Sequence, residues 1–323
     1  LLAFIAKHSS LFLLSGAIIG FSLPSLSSAL LPALPSILFA LMLFTLIGID
    51  QKSLVKSLVK SHAWRYALIH AGLTTVIISG IALFFDASAS LLLALVAVSA
   101  TGSLFATPAI VRSVGFDPLS AMAFTIASTL MMPVVLFINL SLFSGDSFSL
   151  DMQEYFVRLV IFIFGPMLLS YLIRKYAPQE QLSRIHGKIA QFTIVLVFSF
   201  PFGLSGQYRW LWEEDRSLAV ITLAIAFAIC ISFFLIGLAV FWRQGKEAAF
   251  VAAITSGNRN VLLTYSVAGA FLGPLYLPLI GALQLPTYIQ PFVVKFFVNR
   301  RGNKIKQHWT PLKYLMGPLS GSI

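Results

Sequence analysis

The chain has 323 residues, 58% hydrophobic and only 10% charged, with a formal net charge of +11 and a mean hydropathy of +0.91. That composition excludes an ordinary soluble globular domain and points to a polytopic protein of the lipid bilayer. The basic residues cluster between apolar runs, a topology signal and not a nucleic-acid footprint, and a single Cys230 excludes disulfides and thiolate metal sites by count.

In chain order the apolar segments fall at 11–23, 33–49, 67–85, 91–114, 119–143, 155–173, 189–204, 218–242, 248–272 and 275–298. A helical span needs ~20 apolar residues, so the expected fold is an all-α polytopic membrane protein of ten transmembrane helices. Segment 11–23 is apolar enough for a signal peptide, but 25–31 offers no convincing small-residue cleavage site and a second span follows, so it is read as a retained helix. Lys52, Lys56, Lys60 and Arg65 follow the second span, Arg112 the fourth, Arg174, Lys175, Arg184 and Lys188 the sixth, and Arg243 and Lys246 the eighth. The opposite loops hold most of the acids, among them Asp86, Asp151, Glu154, Glu213, Glu214 and Asp215. By the positive-inside rule both termini are cytoplasmic, and the expected location is a bacterial inner (plasma) membrane. Trp210 and Trp212 fit the outer aromatic belt, Trp64 and Trp242 the inner one.

The polar run Thr255, Ser256, Gly257, Asn258, Arg259, Asn260 interrupts the ninth segment. An ionised Arg near the bilayer centre costs ~2.5–3.5 kcal/mol on insertion scales and is tolerated beside water, a polar cavity or a partner. Unwound backbone at that depth is subject to the same condition. A second interruption, 99–108, lies in the fourth segment and contains Gly102 and Pro108. The chain divides into a first five-helix repeat, 1–145, a second inverted five-helix repeat, 146–300, and a basic cytoplasmic tail, 301–323. Each half then has its fourth span broken, and matching breaks are the pattern that marks a central site in inverted-repeat transporters. Gly102 and Gly257 are expected to permit the unwound conformation, and Pro108 to disfavour helix at Thr107.

Thr101 to Pro108, the run from Ala121 to Pro133 with Ser128 and Thr129, Ser256 to Asn260, and Gln284, Pro286, Tyr288 and Pro291 followed by Arg300 and Arg301 together resemble the bile acid:sodium symporter family, over nearly the whole chain. The resemblance implies a panel of spans one, two, six and seven facing a core of the other six. Broken helices 4 and 9 would cross near the midplane, with an organic anion bound beside them. It also implies sodium sites, and here the chain departs from the pattern. The acidic position at the ninth-span break is Thr255, the Gln after it is Arg259, the third-span Gln is His70, the fourth-span Asn is Pro108, and a fifth-span ligand is Ala121. Thr107, Thr125 and Ser128 remain as degenerate sodium-site candidates, and a fixed guanidinium within a few Å repels sodium. No metal and no cofactor are expected.

Replacing a carboxylate by an Arg turns a cation site into one suited to an anion. Arg259 supplies a planar fork for a carboxylate, sulfate or phosphate, and half-helix N-termini add backbone N–H groups. The candidate substrate residues are Arg259, Asn258, Asn260, Thr255, Ser256, Thr101, Ser103, Thr107, Pro108 and Gln284. The competing role for Arg259 is a built-in substitute for sodium that holds the crossing through backbone carbonyls. His70 is the only His well inside a span and is the proton-coupling candidate, because imidazole titrates near physiological pH. The favoured function is secondary transport of a small organic anion by alternating access, with a degenerate or absent sodium site and proton linkage as the open option. The alternatives are a non-transporting receptor, sensor or channel on the same scaffold, and a sodium-coupled bile-acid-type symporter. An enzyme is not expected, since no His/Glu or paired-Asp cluster lies in a span. Oligomeric state is left open.

Overall fold

Every apolar segment forms helix, and two of them break where the polar runs interrupt them. The computed structural model describes residues 9–49, 51–143 and 151–301, and the only extended pairing among these is one isolated bridge. Residues 302–323, which hold nearly all of the expected basic tail, lie outside the described residues, as does most of the polar stretch dividing the halves.

The helices in order are α1 (Ser9–Ser22), α2 (Pro24–Ile47), α3 (Gln51–Leu58), α4 (Ser61–Phe84), α5 (Ala89–Ala100), α6 (Thr107–Val114), α7 (Pro118–Phe143), α8 (Met152–Tyr176), α9 (Gln179–Glu214), α10 (Arg216–Phe241), α11 (Lys246–Gly257), α12 (Val261–Ala268) and α13 (Tyr276–Arg301). Among the described residues six helices are long and apolar enough to cross a membrane: α2, α4, α7, α8, α10 with its 3₁₀ extension to Gln244, and α13. Their outward residues, such as Val76, Phe84, Leu142, Leu168, Ile221 and Leu235, are exposed and apolar. On a soluble surface that would be an aggregation hazard, but it is the surface lipid requires.

Several boundaries differ from the sequence expectation for identifiable reasons. The second segment begins at Pro24 instead of 33, because Pro24, Pro32 and Pro35 all occupy first-turn positions of successive helical turns, where a missing N–H costs nothing. The seventh runs far beyond 189–204 in both directions, since polar ends alone do not stop a helix, and it continues through Pro201. Side-chain caps start others: Ser88 accepts from Leu91 N, Asp151 from Glu154 N, and Asp215 from Leu218 N. Gly115 closes α6 in the left-handed region at φ 95°.

Packing sorts the helices around the two breaks. α9 lies against α1, α2 and α13, and α8 lies against α2. α7 packs on α4, α5, α6 and α11, while α10 packs on α11 and α13. Close approach is made by glycine: a Cβ on Gly20 would sit 2.1 Å from the Phe202 carbonyl oxygen, and one on Gly281 2.6 Å from that of Leu204. Small residues let helix backbones meet where lipid provides no hydrophobic drive between them.

Candidate functional site

The two breaks satisfy each other. Leu104 N donates to Asn258 O and Asn260 N to Gly102 O, both at 2.8 Å, so 102–104 and 258–260 form a short antiparallel pair centred on Ser103 and Arg259. Backbone freed from helix in an apolar interior has to find partners, and here each break provides them for the other. Ser99, Thr101, Ser103, Thr107, Thr255, Asn258 and Asn260 are fully buried, and Arg259 is 5% exposed.

The breaks are shorter than their polar runs. α11 continues through Gly257, so Thr255 and Ser256 are helical, and the Thr255 hydroxyl is tied to Val251 O of its own helix. α6 starts at Thr107 with Pro108 in its first turn, so Thr107 is helical despite the proline after it. Neither central glycine has positive φ. A Cβ on Gly102 would lie 2.8 Å from Thr129 Cα, and one on Gly257 2.0 Å from Gln290 Nε2. These glycines are needed for close approach, not for an unusual backbone conformation.

Arg259 sits at the centre. Its Nε donates to Ser256 O at 3.0 Å, Nη1 to Ser99 O at 2.7 Å and Thr101 O at 3.1 Å, and Nη2 to the Thr74 hydroxyl at 3.1 Å. Four of the five guanidinium N–H groups are thereby taken up by neutral protein acceptors. Ser99 O and Thr101 O belong to the C-terminal end of α5, where carbonyls lack helical partners and a cation is favoured. The guanidinium carbon lies 3.9 Å from the centre of the Phe233 ring, a cation–π contact. Among the described residues no carboxylate pairs with it.

His70 lies against the same centre. It falls in a π-helical turn of α4, Leu68–Leu73, in which Thr74 N reaches back to Ile69 O. The Thr74 hydroxyl bonds the His70 carbonyl and also accepts from Arg259. His70 Nε2 is 3.0 Å from Thr101 O, the carbonyl that Arg259 also uses, and Nδ1 is 2.8 Å from the Tyr66 hydroxyl. A carbonyl only accepts, so Nε2 carries a hydrogen, and in the neutral ring Nδ1 receives a bond from the Tyr66 hydroxyl.

The remaining candidates divide into two groups. Thr101 bonds Ala97 O and the Thr264 hydroxyl, Thr125 bonds Ala121 O, and Ser128 bonds Thr125 O and Ser103. Asn258 Nδ2 is held by Ile254 O and Gln290 Oε1. In contrast Asn260 is buried with neither amide atom bonded, and Thr107 Oγ1, Thr129 Oγ1 and Asn258 Oδ1 are also unpartnered. Arg259, Asn260 and Gln284 line one cavity of about 20 Å³, with Thr287, Tyr288, Leu104, the first residues of α12, and Phe200, Leu204 and Phe233 opposite. That is room for roughly one water. Thr101, Ser103, Thr107, Pro108, Asn258, Thr255 and Ser256 are not among its lining residues.

Tyr66, Thr74, Phe233 and Gln290 belong to the site although the sequence reading passed over them. The legible signal for Tyr66 and Thr74 was their spacing of four residues on either side of His70, which places all three on one helix face. Phe233 and Gln290 carry no such mark. Among the described residues no group of three or more His, Cys, Asp or Glu is arranged to hold a metal. No family model matches the chain, and no curated protein matches it in sequence.

Proposed function

We propose that the protein is a secondary transporter of a small organic anion, a divergent relative of the bile acid:sodium symporters, in which Arg259 stands where that family holds sodium. The observation that carries this proposal is a guanidinium buried at the meeting of two broken helices with no carboxylate partner among the described residues. A permanent cation there fills the role of the missing sodium in joining the breaks, and it leaves one unit of positive charge for a ligand to neutralise. The unpartnered Asn260 amide and the first N–H groups of α12 border the same cavity and supply neutral donors.

In this proposal α5 with α6 and α11 with α12 are the fourth and ninth of ten spans, related as inverted repeats. The mutual packing of α1, α2, α8 and α9 supports a panel that moves against the remaining helices. A cavity for one water does not admit an organic anion, so Phe200 and Leu204 on α9 and Phe233 on α10 must withdraw from α12 and α13 for the ligand to enter. Taking the basic loops as cytoplasmic puts both termini inside, and the proposed location is a bacterial inner membrane. His70, sharing a carbonyl with Arg259, is the group through which a proton accompanies the anion.

A thermal-shift screen of small carboxylates and sulfonates on purified protein, in sodium and in choline, tests this. Anions should stabilise the protein equally in both salts, and Asn260→Ala should reduce the stabilisation at least tenfold in ligand concentration, about 1.4 kcal/mol. Stabilisation only by cations or neutral solutes would overturn it.

A further inference from the structure

The Tyr66 hydroxyl touches His70 and both broken helices. It is 2.8 Å from His70 Nδ1, 3.2 Å from Ser103 Oγ in the first break, and 3.2 Å from Ser256 Oγ in the last turn of α11, which donates to it. Ser103 Oγ in turn accepts from Ser128 Oγ, and Ser103 N donates to Ser128 Oγ. With His70 neutral, the one hydrogen of Tyr66 points to Nδ1 and its oxygen receives the serines. One buried oxygen therefore ties α4 to both broken helices.

We infer that Tyr66 is a positioning residue that carries the protonation state of His70 to both breaks, loosening the crossing when His70 gains a proton. The inference rests on the proposed transporter, whose core holds the crossing as panel and core move against each other. Hydronium from whichever mouth is open gives its proton to the Nδ1 lone pair and leaves as water. Nδ1–H then donates to the Tyr66 oxygen, so the Tyr66 hydrogen must swing to Ser103 or Ser256. The serine that receives it must turn its own hydrogen away from Tyr66, which breaks the bond it donated there. The groups facing His70 offer no compensating charge: Tyr66 on its own helix, Arg259 across Thr101, Tyr276 of α13 against Thr101, and Cys230 of α10 beyond Arg259. His62, one turn before Tyr66, lies tilted against Phe124 and edge-on to Phe241.

The chain's only cysteine reports on the crossing. Cys230 is 3% exposed, with Sγ 3.6 Å from Gly257 O. The test is its modification by 2,2′-dithiodipyridine, a reagent that reacts with thiols in acid, in the protein in lipid nanodiscs, followed from pH 8 to about 4 so that the series extends well below the ordinary His pKa of about 6.5. Dividing each rate by that of His70→Gln at the same pH removes the thiolate's own dependence. The wild-type ratio should rise roughly fivefold or more as pH falls, a shift toward a minor open state. Tyr66→Phe, which keeps the ring stacked on Phe124, should hold a flat ratio, and His62→Gln should behave as wild type. The Ser103→Ala, Ser256→Ala double variant keeps the Tyr66–His70 bond, removes the links to both breaks, and should also be flat. A flat wild-type ratio, a rise that survives in Tyr66→Phe or the double variant, or a rise lost in His62→Gln overturns the inference. No organic anion enters this assay, so its outcome is separate from that of the anion screen.

Discussion

Arg259→Ala is the perturbation with the largest expected effect on folding. Truncation removes donors to Ser256 O, Ser99 O, Thr101 O and the Thr74 hydroxyl and the contact with Phe233. Hydrogen bonds to a charged group are worth ~1.5–3 kcal/mol each on deletion, and a desolvated cation–π contact adds ~2 kcal/mol. Against this, the variant no longer buries a guanidinium, whose desolvation costs several kcal/mol. The acceptors also keep some partners: Thr101 O retains His70, and Ser99 O retains Thr74 at 3.5 Å. The net expected loss is about 3–5 kcal/mol, the scale seen when one side of a buried polar network is removed. Arg259→Lys should recover less than half, since an ammonium cannot span four acceptors arranged around a planar fork. Equilibrium unfolding in mixed micelles measures both. A loss below about 1 kcal/mol for Arg259→Ala would falsify the view that the guanidinium holds the breaks together. Ligand stabilisation of the surviving Arg259→Lys protein then shows separately whether the anion needs the fork.

Replacing sodium by choline at constant ionic strength should leave anion binding unchanged, and a tenfold weakening, about 1.4 kcal/mol, would restore a sodium site. Gly20→Ala should lower the melting temperature by separating α1 from α9, at a cost of about 1–3 kcal/mol for overpacking against backbone; an unchanged melting curve would mean the two helices slide freely. Asp215 caps α10, and the Leu218 N–H, then the Ser217 hydroxyl, hold its carboxyl below the usual carboxylate range. A depressed folded value stabilises the protein above the unfolded value and ceases to as pH falls through the folded one. Asp215→Ala should therefore melt lower than wild type at pH 7, with the gap closing only below the ordinary carboxylate pKa of about 4. A gap that persists in acid would assign the effect to helix propensity.

The sequence by itself determined the helical membrane character, the positions of two interruptions, and Arg259 as an interior cation. All of these follow from local hydropathy and from the energetic penalty on polar groups among apolar ones. It was less informative about where each interruption ends, because Thr255, Ser256 and Thr107 satisfy their own helices once packed, and propensity is a weak guide beside tertiary contact. Tertiary structure alone decided the work done by each polar side chain. The sequence left Arg259 either as a fork for an anion or as a cation holding the crossing through backbone carbonyls, and the fold spends four of its donors on the end of α5 and on α4 and α11, residues up to 185 positions away. Thr101, Thr125, Ser128 and Asn260 are equally polar in the sequence, and packing engages the first three and leaves Asn260 unpartnered at a cavity. Whether a buried polar atom has a partner depends on which helices meet and at what register, and no window of sequence contains that information.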